Sequence, residues 1–109
     1  IDKVYYPALP THPNHDRFKK YYSGAAGLLS FNFKEDVDLS EIRSFIDGLK
    51  IFGIGFSWGG YESLVMLYTH IKGVDLTKSH GHIIRISIGL EDVSDLISDL
   101  ESTLNKIRP

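Results

Sequence analysis

The spacing of apolar positions changes several times along the chain, and each change marks an element. Residues 27–33, GLLSFNF, alternate. Leu29, Phe31 and Phe33 fall on one face, and Leu28, Ser30 and Asn32 on the other. Period two predicts a strand with one apolar face and one mixed face. From 38 to 48 the period lengthens, and Leu39, Ile42, Phe45, Ile46 and Leu49 form a helical stripe. Asp38 and Glu41 make a capping-box pattern, Val37 and Ile42 take the staple positions, and Gly48 is the expected stop. Residues 51–56, IFGIGF, alternate again and predict a buried strand. It breaks at Ser57, Trp58, Gly59 and Gly60, where two glycines permit a sharp turn. Residues 62–67 read as a short strand returning along the sheet.

Ile83–Leu90, IIRISIGL, is the clearest strand. Ile84, Ile86 and Ile88 share its core face, and Ile83, Arg85 and Ser87 share the other. Asp92 caps a final helix over 92–107, with Val93, Leu96, Ile97, Leu100 and Leu104 at helical spacing. Its acids come early and its bases, Lys106 and Arg108, come late, as the helix dipole favours. Before all this, residues 1–14 are broken by Pro7, Pro10 and Pro13, which leave room only for a short strand at Val4–Tyr6. A short helix follows at 15–22, with Phe18, Tyr21 and Tyr22 on one side. Residues 69–82 have loop composition, with one helical turn allowed at their start. The fold class is α+β: a mainly antiparallel sheet of about three to five strands with both long helices on one face. The other face of the sheet stays open.

Length and composition narrow the function. At 109 residues the chain is one domain. A net charge of −2 argues against a nucleic-acid binder. The lack of cysteine excludes disulfides and thiolate chemistry and fits a reducing cytoplasm. No apolar run reaches membrane-spanning length.

Three groups of residues carry candidate chemistry. His12 and His15 in THPNH, with Asp16 or the pair His80 and His82, have spacing open to a metal. Hydrogen-bonding histidines beside a proline turn explain them as well, and no second ligand motif supports the metal. Glu91, Asp92, Asp95 and Asp99 offer paired carboxylates, but helix capping accounts for them. Arg85 is the one charge on the clearest strand. It either pairs with an acid such as Glu62 or presents a guanidinium fork to a carboxylate ligand.

The strings themselves are more specific than their patterns. SWGGYES at 57–63, VYYPALPTHPNHDRFKKYYSGAAGLLSF at 4–31 and HIIRISIGLEDVSDLISDL at 82–100 resemble, in order, the C-terminal region of the Cys/Met-metabolism family of pyridoxal-phosphate enzymes, in its cystathionine beta-lyase branch. The resemblance implies that the chain is the C-terminal small domain of a longer fold-type I enzyme. Residues 1–24 would be the linker and short helix entering from the large domain, and 25–109 the small domain. It implies carbon–sulfur lyase activity, with pyridoxal phosphate bound by the large domain, and a homotetramer when full length. It assigns substrate-carboxylate binding to Arg85 and Ser57 with Trp58 alongside, and no catalytic, cofactor-binding or metal residue to this chain. Phe56 stands where relatives often have Tyr, which bears on substrate preference. A stand-alone amino-acid-binding regulatory module is the alternative, and a domain serving only subunit assembly is a third reading.

Overall fold

The computed structural model describes residues 1–107. Arg108, placed above at the basic end of the last helix, lies outside them. Five strands form one sheet: β1 (Lys3–Tyr5), β2 (Leu28–Asn32), β3 (Gly53–Ile54), β4 (Leu64–Tyr68) and β5 (Ile83–Ser87). Their spatial order is β1-β2-β5-β4-β3. The pairs β1–β2, β2–β5 and β5–β4 are antiparallel. The helices are α1 (His15–Tyr21), α2 (Leu39–Gly48) and α3 (Val93–Leu104).

The strand alternation read from the sequence sets the two faces of this sheet. Phe31, Val65, Ile84 and Ile86 point to one side and join Ile42, Phe45, Ile46 and Leu96 in a single buried cluster. Helices α2 and α3 therefore cover the same face. Phe31, Phe33 and Phe45 meet edge-on, with ring centroids 5.4 to 6.2 Å apart. Each such contact adds about 1 kcal/mol beyond the area buried. The capping box forms as the sequence predicts, with Asp38 accepting from the Glu41 N–H and Glu41 accepting from the Asp38 N–H.

Several expectations change. The strand over 51–56 is cut to Gly53–Ile54, because it pairs only with β4 at the sheet edge. Phe52 is buried, but Ile54 and Phe56 face solvent. The β3–β4 pair is parallel, so β4 does not return antiparallel to its predecessor. On α3, Leu96 is buried while Val93 and Ile97 are exposed. The face against the core runs 96, 99, 100, 103, 104, which brings Asp99 and Thr103 inside instead. Asp99 does not cap its own helix. Its carboxylate accepts from the N–H groups of Lys50, Ile51 and Phe52. Gly48 is the last residue of α2 but takes no left-handed turn; it is where α3 comes close, since a Cβ there would sit 2.9 Å from Thr103 Cγ2. The helical turn in 69–82 comes late, at Thr77–Ser79, where Asp75 accepts from the Thr77 N–H.

Candidate substrate-carboxylate site

Arg85 is the middle residue of the central strand. Its neighbours in register are Ser30 on β2 and Met66 on β4. Alternation turns it away from Ile84 and Ile86, toward the face opposite α2 and α3. That face is crossed by residues 55–63. A parallel β3–β4 pair requires the connection to carry the chain back to the starting end of the sheet, and residues 55–63 do so with contacts to Arg85 and Ser87 of β5.

Contacts with β5 fix this path in steps. Arg85 Nη2 donates to the Phe56 carbonyl at 2.5 Å and lies 3.4 Å from the Ser57 carbonyl. The Gly59 N–H donates to Ser87 Oγ at 3.2 Å. The Leu90 N–H donates to the Tyr61 carbonyl at 2.8 Å. Gly59 has φ +75°, a conformation that its lack of a side chain makes accessible. The Arg85 guanidinium also lies over the Tyr68 ring, 5.7 Å from its centroid. Arg85 Nε is buried without a hydrogen-bond partner.

Of the sequence-predicted residues, the structure brings Ser57 to Arg85, and Trp58 is the chain neighbour of Ser57. Ser57 meets the guanidinium through its backbone carbonyl. Trp58 is 64% exposed, so its ring is available to whatever approaches this face. Glu62 is not the partner of Arg85, which makes no ion pair among the described residues.

Sequence reasoning missed the anchor at the far end of the loop. Glu91 is not a helix cap, since Asp92 does that work by accepting from the Ser94 and Asp95 N–H groups. Glu91 Oε1 accepts from the Ser63 N–H at 2.9 Å, and Oε2 accepts from Ser63 Oγ at 2.7 Å. These two bonds, the backbone one first, hold the Glu91 carboxyl below the usual carboxylate range. Ser63 Oγ in turn accepts from the Gly89 N–H at 2.8 Å. A Cβ on Gly89 would lie 2.3 Å from the Tyr61 carbonyl oxygen. The glycine in SIGLE was the available signal, because it marks where two backbones touch.

Three of the histidines have partners of their own, while His82 Nδ1 is buried without one. His12 Nδ1 accepts from the Asn14 N–H, His15 Nδ1 bonds the Pro7 carbonyl at 2.9 Å, and His80 Nε2 lies 3.4 Å from Asp2 Oδ2. Among the described residues no group of three or more His, Cys, Asp or Glu is placed to hold a metal ion. Every lysine among them is exposed.

Residues 1–105 match the family described as Cys/Met metabolism PLP-dependent enzyme. An L-alanine/L-glutamate racemase of Wolbachia pipientis is 43% identical, over 98% of this chain and 27% of that protein. Cystathionine beta-lyase of Escherichia coli is 37% identical, over 98% of this chain and 28% of that protein. Among solved structures, a cystathionine gamma synthase from Xanthomonas oryzae pv. oryzae matches with a TM-score of 0.78 and 28% identity, over 96% of this chain and 28% of that one. The chain thus spans under a third of the length of these proteins.

Proposed function

The chain belongs to the Cys/Met metabolism family of pyridoxal-phosphate-dependent enzymes, and from that membership we propose that it is the substrate-carboxylate-binding part of a carbon–sulfur lyase acting on cystathionine. Pyridoxal phosphate is the cofactor of the family, and when bound it supplies the electron sink. The residues described here do not fit a resident cofactor. An amine that takes up a carbonyl must be desolvated enough to lose its proton, and every lysine here is exposed. The cofactor belongs with the larger part of the enzyme. On this reading residues 1–24 lead in from that part, and 25–109 form the small domain.

One observation carries the proposal. Arg85 holds its charge on the open face with no ion pair among the described residues, and the Phe56 and Ser57 carbonyls engage it through Nη2. A ligand carboxylate would pair that charge and match the planar fork. Ser57 and the exposed Trp58 would flank that carboxylate, so an α-amino acid is the fitting substrate class. The reaction proposed is cystathionine and water to homocysteine, pyruvate and ammonia, in a homotetrameric cytoplasmic enzyme.

A second reading is favoured by the racemase at 43% identity: the same carboxylate site would serve inversion of an amino acid. One experiment separates the two. The full-length protein with pyridoxal phosphate is given L-cystathionine, then L-alanine. Equimolar pyruvate and homocysteine from the first, with little D-alanine from the second, is the expected result. D-alanine without pyruvate would replace the lyase by the racemase.

A further inference from the structure

Residues 55–63 carry Gly55, Gly59 and Gly60 and contain no helix or strand. A loop of this kind has many conformations in the unanchored state, since glycine restricts the backbone least. Yet it presents the two carbonyls that orient Arg85. Its geometry has to come from elsewhere, and the anchors on β5 and on the turn after it supply it.

The anchor at Ser63 differs from the others. At the Arg85 end the contacts are side chain to carbonyl on the exposed face. At Gly59 there is a single bond of 3.2 Å. At Ser63 a carboxylate takes both donors of one residue, and the same hydroxyl accepts from Gly89. Ser63 is 1% exposed, so neither donor has water as a substitute. Bonds to an ionised acceptor are about twice as strong as neutral ones. The tight fit around Gly89 also prevents the turn from shifting toward the loop.

We propose that Glu91 is a positioning residue for the substrate-carboxylate site, clamping Ser63 so that the Phe56–Trp58 segment is held in register with Arg85. Glu91 touches neither Arg85 nor the substrate on this geometry and acts only through the loop. The inference rests on the proposal that Arg85 binds the carboxylate. It adds that the site is set from its far end, by a residue whose two bonds both go to Ser63.

Glu91→Gln keeps the size of the side chain but removes the charge and one acceptor oxygen, so the two Ser63 donors no longer share an ionised acceptor. The test is a double-mutant cycle in the full-length, cofactor-loaded enzyme, using Glu91→Gln, Arg85→Lys and the pair, with kcat/KM for the amino-acid substrate as the readout. Glu91→Gln alone is expected to lower kcat/KM about ten-fold. Added to Arg85→Lys it should lower it little further, because the contact it positions is already gone. Hydrogen exchange of the 55–63 amides in the same protein should quicken in Glu91→Gln, while exchange in α2 stays as it was. An unchanged kcat/KM in Glu91→Gln, an additive cycle, or exchange that quickens throughout the domain would each overturn the positioning role. If Arg85→Lys itself has no effect, the carboxylate site falls, and the positioning role falls with it.

Discussion

Asp99 on α3 accepts a hydrogen bond from the backbone N–H of Ile51 at 2.8 Å, tying the last helix to the segment that leads into β3. The same carboxylate accepts from Lys50 at 2.8 Å and Phe52 at 3.3 Å. Asp99 is 6% exposed. Asp99→Ala would leave three N–H groups at a site with little access to water. The expected loss is about 3 kcal/mol of stability, measured by denaturant unfolding of the chain. A loss below about 1 kcal/mol would mean that water replaces the carboxylate there.

Gly48 and Thr103 set how closely α2 approaches α3. Gly48→Ala improves helix propensity by roughly 0.5 to 1 kcal/mol. It also drives a methyl to 2.9 Å from Thr103 Cγ2. Thr103 is 1% exposed, and its hydroxyl bonds the Leu100 carbonyl, so the side chain has little freedom to turn away. Overpacking of this kind costs about 1 to 3 kcal/mol and outweighs the propensity gain. The variant should melt lower than the parent. Thr103→Ser removes the obstructing methyl and should restore most of the loss in the double variant. Equal melting of Gly48→Ala and the parent would show that the helices separate freely.

The capping box, the apolar face of β5 and the common side of the two long helices were all legible because period and cap chemistry are local. Ser57, Trp58 and Arg85 were picked out by the resemblance of their strings, and strand alternation placed Arg85 on the open face. The parallel β3–β4 pair was not legible. IFGIGF alternates as a buried strand does, but burial depends on how many neighbours the sheet supplies, and β3 has one. Asp99 and Glu91 read as helix caps because their partners, Ile51 and Ser63, are 48 and 28 residues away.

Glu91 gives the loop a dependence on pH. Its folded-state carboxyl is held low by the Ser63 N–H and then the Ser63 hydroxyl. A lowered carboxylate contributes stability that is present above its unfolded value, about 4.3, and is lost as pH falls through the lower folded value. Glu91→Gln does not titrate. The difference in unfolding midpoint between parent and Glu91→Gln should therefore be present at neutral pH and shrink steadily below about pH 4. A difference that stays constant into acid would contradict the ionised clamp.

The 109-residue chain by itself should not turn over cystathionine. Every lysine among the described residues is exposed, so none has a desolvated amine. Mixed with pyridoxal phosphate and cystathionine, it should release pyruvate no faster than the free cofactor. Turnover well above that control would place the reacting groups within these residues.

The carboxylate role of Arg85 is tested most directly by kcat/KM of Arg85→Lys in the full-length, cofactor-loaded enzyme, with L-cystathionine as substrate and pyruvate as the product followed. Lysine keeps the charge but loses the fork that reaches a carboxylate and the Phe56 carbonyl together. The expected fall is roughly thirty- to thousand-fold, corresponding to about 2 to 4 kcal/mol of transition-state binding. A kcat/KM close to that of the parent enzyme would contradict the assignment of the substrate carboxylate to Arg85.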